Sequence, residues 1–202
     1  MRSPLHPTVE DLQAFTTSTL VVAFCFWAYK DLAYSSIPLL IAVSGLVILS
    51  REIGQRTVAQ WMDAYIDLKT TMNGSATSLF GAFMSLITGI PIILLFPLTS
   101  SFSGKKYEHW GKSIDAIWAK RQYWLATSGL TTLFAAWMIA YNYSFQLFAE
   151  LSALFLFFQL MPFDFELIPT GRLDGAYILL WSGFTWLVMM GTTLIMLTLT
   201  FY

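Results

Sequence analysis

Long apolar stretches set the strongest limit on the fold of this sequence, because they match the length that a helix needs to cross a bilayer. A transmembrane helix needs about 20 predominantly apolar residues. Five stretches meet or approach this length: 14–29, 32–50, 123–142, 144–163 and 176–201. Charged residues make up only 11% of the 202 residues, against about 25% in an average soluble domain. The sequence therefore predicts one all-α integral membrane domain over residues 1–202, with five to six transmembrane helices.

A sixth apolar stretch, 76–99, is interrupted at its middle by Gly89-Ile90-Pro91. Proline inside a helix removes a hydrogen bond and clashes with the preceding turn, so this stretch either crosses as a kinked helix or folds back as a re-entrant hairpin. Lys and Arg collect in cytoplasmic loops. A crossing divides the 11 basic residues 7 to 4, whereas a hairpin leaves only Lys30 apart from the rest, a division of 10 to 1. The hairpin is favoured, and it places the N-terminus in the cytoplasm and the C-terminus outside.

A more polar segment, 51–72, lies between the second crossing and this hairpin. Its polar side chains follow a helical spacing and form one stripe: Glu52, Arg56, Gln60, Asp63 and Asp67. Apolar residues occupy the other side, which is typical of a helix that lies along the membrane interface. The sequence predicts an interfacial helix over 51–72 that ends at the turn signal Asn73-Gly74.

The composition excludes several other classes of protein. A net charge of -1 provides no basic surface that would attract nucleic acid. The single cysteine, Cys25, excludes an intrachain disulfide and a multi-cysteine metal site. The sequence shows no glycine-rich phosphate loop, nucleophile elbow or paired-histidine haem site, so no cofactor is expected.

Two short segments carry the specific sequence signals. Residues 51–55 (REIGQ) end the second crossing, and residues 167–175 (LIPTGRLDG) precede the last one. Together they resemble the site-2 protease family of intramembrane zinc metalloproteases. In that family an H-E-x-x-H helix supplies two histidine ligands and a glutamate base, and an N-x-x-P-x-x-x-L-D-G segment supplies an aspartate ligand. Glu52 and Asp174 match the glutamate and the aspartate, while Glu166 stands where the family has asparagine.

The resemblance lacks both histidines, since Arg51 and Gln55 occupy their positions. Histidine offers a neutral nitrogen to zinc, whereas arginine stays protonated and has no acceptor. The amide oxygen of glutamine is a poor zinc ligand in place of an imidazole. The degenerate site of Arg51, Glu52, Gln55 and Asp174 therefore implies a catalytically inactive relative, in which neither a metal ion nor a catalytic residue is expected.

Arg51 is expected to replace the metal ion. An unpaired charge at the bilayer centre costs about 2.5–3.5 kcal/mol, so we expect its guanidinium to pair with Asp174 or Glu166, near Glu52. The alternative is an Arg51 side chain that extends to the membrane interface. Glu150, inside the fourth crossing, is a candidate contact to a partner protein; the alternative is a protonated or water-linked carboxyl group near the outer interface.

Three functions are compatible with the sequence. The first is an inactive site-2-protease-like protein that serves as a scaffold or accessory subunit and binds other transmembrane proteins in the lipid bilayer. The second is an intramembrane metalloprotease with a non-standard site, in which Glu52 and Asp174 bind a metal ion together with a ligand from another subunit. The third is a transporter or channel component, which the few intramembrane polar residues support least.

Overall fold

The computed structural model of the chain describes residues 7–104, 115–163 and 172–202. In chain order, these residues form α1 (Val9–Lys30), α2 (Ile37–Trp61), β1 (Ala64–Thr70), α3 (Met72–Thr88), β2 (Leu98–Gly104), α4 (Asp115–Asn142), α5 (Gln146–Gln159), α6 (Asp174–Trp181) and α7 (Gly183–Phe201). A 3-10 turn, Tyr34–Ser36, precedes α2. Helix α2 occupies the centre of the molecule, where it packs against α1, α4, α5 and β1.

The prediction of a mostly helical chain is confirmed, and its longest apolar helices are candidates to span a membrane. Among the described residues, three helical segments are long and apolar enough to cross a membrane, namely Val9–Lys30, Tyr34–Trp61 and Gly183–Phe201. Helix α5, inside the predicted crossing 144–163, has only 14 residues. The total of five to six crossings stays a prediction.

The predicted crossing 176–201 is divided at Ser182. Its backbone is extended, with φ −149° and ψ 98°, so Ser182 ends α6 and begins α7. The Ser182 side chain caps α7, because its Oγ accepts a hydrogen bond from the Thr185 backbone N–H at 3.2 Å. A capping serine satisfies one of the N–H groups that the first turn of a helix leaves without a partner.

The chain reverses direction at the end of α3. Gly89 ends this helix in the left-handed region, with φ +69°, a conformation that glycine adopts without steric cost. The residues after it return along α3, and the two ends meet where the Thr71 N–H donates to the Pro97 carbonyl at 3.2 Å. Residues 76–99 therefore fold back on themselves in this structure, and their re-entry into a bilayer stays a prediction.

Helices α1 and α3 lie side by side and run in the same direction. The Cys25 thiol donates to the Ser78 carbonyl at 3.4 Å, and further along both helices the Ser85 hydroxyl donates to the Ala28 carbonyl at 3.3 Å. The reversal after α3 consequently lies beside the C-terminal end of α1.

The predicted interfacial helix over 51–72 is wrong beyond Trp61, where α2 ends. Asp63 adopts a left-handed backbone, with φ +50°, and the chain continues as strand β1. Burial alternates along this strand, with Ala64, Ile66 and Leu68 buried. This two-residue period is the pattern of a strand with one buried face, and the helical stripe of polar residues concealed it.

Strand β1 pairs in antiparallel register with β2, from Ala64 opposite Gly104 to Thr70 opposite Leu98. The chain is thus not purely α-helical, because this two-stranded sheet joins the two ends of the segment that contains α3. The predicted turn at Asn73-Gly74 is also wrong, since both residues belong to the first turns of α3. Gly74 is required there for a different reason: a Cβ atom at this position would overlap the Phe96 carbonyl of the returning chain.

We expect Gly74→Ala to destabilise the protein by about 1–3 kcal/mol, because the added methyl group overpacks the contact between α3 and the returning chain. Gly191→Ala is the matched control, since it adds the same methyl group to a helix at a position where no neighbouring element lies within 4 Å. Alanine favours helix by about 1 kcal/mol relative to glycine, so the control should leave the stability unchanged or raise it. Thermal unfolding of the purified protein in detergent measures both effects, and equal unfolding midpoints would contradict the prediction.

Candidate functional site

The residues of the degenerate motif converge in the interior of the protein. Arg51 and Gln55 are four residues apart on α2 and therefore share one face of the helix. Asp174 is the first residue of α6 and faces them. Arg51, Gln55 and Asp174 are all completely inaccessible to solvent, and Glu52 is 3% exposed.

Arg51 and Asp174 form a two-pronged ion pair. The Arg51 Nε donates to Asp174 Oδ2 at 2.7 Å, and Nη2 donates to Oδ1 at 2.8 Å. This parallel arrangement is the strong geometry for a guanidinium and a carboxylate, because both hydrogen bonds are charge-assisted. The structure thus pairs Arg51 with Asp174, one of the two partners expected from the sequence, and the complete burial of Arg51 contradicts an extended side chain at the interface. Glu166, the other expected partner, lies outside the described residues.

Gln55 completes the hydrogen bonding of the Asp174 carboxylate. Its Nε2 lies 3.2 Å from Oδ1 and 3.1 Å from Oδ2. Its Oε1 in turn accepts a hydrogen bond at 3.0 Å from the hydroxyl group of Ser100, which lies on strand β2. Arg51 and Gln55, the two residues that the resemblance places at histidine positions, therefore both bind Asp174 directly, and strand β2 holds the glutamine in place. Ser100 was not predicted, because no strand was expected there.

Glu52 extends the cluster toward the N-terminal end of α1. It accepts from Arg51 Nη1 at 3.3 Å and from Arg56 Nε at 3.1 Å. Arg56 Nη2 also lies 3.3 Å from Asp11 Oδ2, and Asp11 Oδ1 accepts from the Leu68 N–H of β1 at 2.8 Å. Charges of opposite sign therefore alternate through the five residues Asp11, Arg56, Glu52, Arg51 and Asp174.

The sequence contained only a partial signal for this extension. Glu52 and Arg56 have the i, i+4 spacing of a helical ion pair. Asp11 was visible only as an acidic residue near the chain start, and its second role is to receive the Thr8 N–H in a capping box at 2.8 Å. Its contact with Arg56 depends on the packing of α1 against α2, which no local pattern indicates.

The zinc ion that the resemblance implies does not fit these residues. The Arg51 guanidinium has no lone pair for a metal and holds both oxygens of Asp174. Within the described part of the chain, no group of three or more His, Cys, Asp or Glu side chains could hold a metal ion. Glu52 is no free base either, because two guanidinium groups donate to its carboxylate, and general base catalysis needs an acceptor within reach of the substrate proton.

Glu150 finds its partners inside the chain, at the opposite end of the helices. Its Oε2 lies 2.6 Å from the Lys30 Nζ, and its Oε1 accepts from Gln146 Nε2 at 2.9 Å. The same Gln146 amide donates to the Thr200 carbonyl at 3.1 Å. Glu150 therefore joins α5 to α1, and Gln146 joins α5 to α7; a contact of Glu150 with a partner protein stays a prediction.

Comparisons of the chain with protein-family models, with curated proteins and with solved structures return no match.

We expect loss of either member of the Arg51–Asp174 pair to destabilise the protein by about 3–5 kcal/mol, because the remaining charge stays buried without its partner. Arg51→Met and Asp174→Leu are the single variants, and the double variant should recover most of the loss, since apolar residues of similar volume replace both charges. Arg51→Lys keeps the positive charge but cannot form the two parallel hydrogen bonds of the guanidinium. Its unfolding midpoint should lie between those of the wild type and Arg51→Met. Additive losses in the double variant would contradict coupling between the two residues.

Proposed function

We propose that this chain is a catalytically inactive protein on a site-2-protease-like membrane scaffold, and that it serves as a scaffold or accessory subunit that binds transmembrane partners. The observation that carries the proposal is the two-pronged Arg51–Asp174 ion pair. It supports inactivity because the Arg51 guanidinium is hydrogen-bonded to both oxygens of the Asp174 carboxylate, the group that would ligate the metal ion. A metalloprotease needs an open metal position for water, which zinc activates by lowering its pKa to about 7.

The buried cluster also supports a structural role. Removing ions from water is costly, and a buried pair is stabilising only when its geometry is good and the remaining atoms are hydrogen-bonded. Here Gln55 satisfies the carboxylate further, and Arg56 satisfies Glu52. The site therefore joins α2 to α6 in one fixed arrangement, which suits a protein that presents a surface rather than one that turns over a substrate.

The seam between α2 and α4 is the surface that we assign to a transmembrane helix of the partner. Two cavities, of about 500 Å³ and 640 Å³, lie along it and follow α4 over residues 124–140. The α4 residues that line them are mostly small: Thr127, Ser128, Thr131, Thr132, Ala135, Ala136 and Ala140. Small side chains let helix backbones approach closely, which is how helices associate in membranes without a hydrophobic driving force.

We further propose that the chain crosses the membrane several times, with a cytoplasmic N-terminus, an outer C-terminus and α3 with its returning segment inserted from the cytoplasmic side. The basic residues support this orientation through the positive-inside rule. The contact between Thr71 and Pro97 supports it too, because both ends of the inserted segment then lie on one side. Lys30, the one basic residue assigned to the outer side, is neutralised by Glu150.

Single-cysteine labelling tests this orientation. In a Cys25→Ser background, Glu10→Cys should be protected from a membrane-impermeant maleimide in intact cells, whereas Tyr143→Cys should react, because the two positions lie on opposite sides. Both residues are solvent-exposed, so permeabilised cells should label both and provide the control. Labelling of Glu10→Cys but not Tyr143→Cys in intact cells would reverse the orientation, and labelling of both would contradict the topology.

Isolation from native membranes in mild detergent tests the function. We expect the protein to co-purify with a transmembrane partner and to contain no stoichiometric zinc. Ala135→Trp, on the exposed seam, should reduce the recovered partner at least about tenfold, corresponding to about 1.4 kcal/mol. Thr198→Trp, on the exposed face of α7, is the matched control and should retain the partner.

Two outcomes would contradict the proposal. Purification as a lone monomer under every detergent condition would exclude an accessory subunit. Stoichiometric zinc that disappears in Asp174→Ala would instead establish the metalloprotease alternative.

A further inference from the structure

A small polar cavity lies where the chain reverses after α3, far from the Arg51 cluster. Its volume is about 130 Å³, and it is lined by Tyr29 and Asp31 at the end of α1 and by Ser85, Gly89 and Pro91 at the end of α3. A water molecule occupies about 30 Å³ in the liquid. The cavity is therefore large enough for one ion with a few water molecules.

The C-terminal ends of two parallel helices converge on this cavity. The last carbonyl groups of a helix lack intrahelical donors, and the helix dipole places about half a negative charge at this end. Backbone and side-chain donors cap part of these ends: the Asp31 N–H donates to the Trp27 carbonyl, the Ser85 hydroxyl donates to the Ala28 carbonyl at 3.3 Å, and the Gly89 N–H donates to the Ser85 carbonyl at 2.9 Å. Because α1 and α3 run in the same direction, their negative ends reinforce each other here.

Asp31 adds a full negative charge to the same cavity. Its side chain is exposed and forms no ion pair or hydrogen bond with any residue that the structure describes. The neighbouring cation, Lys30, is directed elsewhere, because its Nζ pairs with Glu150 at 2.6 Å and lies 5.5 Å from the centre of the Phe201 ring. Helix α3 has no basic residue in its last turn. The cavity thus concentrates negative charge without a compensating cation in the described part of the chain.

We propose that this cavity binds a hard divalent cation of the calcium type. Carboxylate and carbonyl oxygens are the ligands that calcium prefers, and its flexible coordination suits an irregular site completed by water. Asp31 supplies the carboxylate, and the ends of α1 and α3 supply carbonyl oxygens. The bound cation bridges the end of α1 to the reversal after α3 and holds that reversal in place.

Terbium luminescence tests the proposal on the full-length protein in neutral detergent without anionic lipid. Tb³⁺ occupies calcium sites, and Tyr29 and the adjacent Trp27 would sensitise its emission. We expect saturable emission that calcium displaces, with an affinity for calcium in the range of about 10⁻⁴–10⁻³ M that is typical of extracellular sites. Asp31→Asn should weaken Tb³⁺ binding about tenfold or more.

Asp63→Asn is the matched control, because Asp63 also follows a helix and has the same left-handed backbone, with φ +50° against +48° for Asp31. Asparagine tolerates this conformation, so Asp31→Asn should unfold at the wild-type temperature in chelator, and the effect of calcium on each variant is measured against the midpoint of that same variant in chelator. Calcium should raise the unfolding midpoint of the wild type and of Asp63→Asn, but not of Asp31→Asn. The proposal is overturned if terbium emission is not displaced by calcium, if both variants bind alike, or if calcium leaves the wild-type midpoint unchanged.

Discussion

The contact between Arg51 and Asp174 links segments that are 123 residues apart in the chain. Neither side chain has access to water. Burying either charge is therefore too costly unless the other side chain is in contact with it. This requirement fixes the depth of α2 relative to α6. It also fixes β2, since Ser100 orients the glutamine that completes the carboxylate. The packing of apolar side chains provides the bulk of the attraction between helices, but it does not by itself specify one relative position.

An ion pair and a zinc site impose similar geometric demands on a protein, although their chemistry differs. Both bring an aspartate at the start of one helix close to two residues at i and i+4 on a face of another helix. A guanidinium provides planar, directional donors in place of a spherical charge. It stabilises a single arrangement and offers no open position for a water molecule.

The sequence was sufficient to predict the features that depend on long apolar stretches, on helix-breaking residues or on the cost of burying a charge. Apolar length predicted the membrane helices, Gly89 and Pro91 predicted the reversal, and the intolerance of buried charge predicted a partner for Arg51. Strand β1 was missed because its seven residues continue the polar spacing of a helix. The sequence in this segment fits both a helical period and the two-residue period of a strand, and only the pairing with β2 favours the strand. Ser100 and Asp11 were missed for a related reason, since their roles depend on distant elements that pack beside them.

The separation of the pair also bears on the biogenesis of the protein. In the proposed membrane topology, Arg51 is synthesised and enters the membrane region well before Asp174 has been synthesised. During that interval an isolated arginine at depth costs about 2.5–3.5 kcal/mol on insertion scales. Glu52, its immediate neighbour, is the one anion of the buried cluster that is already present within the same turn, and Arg56 follows one turn later. In that topology the C-terminal part of α2 is expected to stay near the aqueous interface until α6 has been synthesised, and the core closes late in folding, when α6 packs against α2.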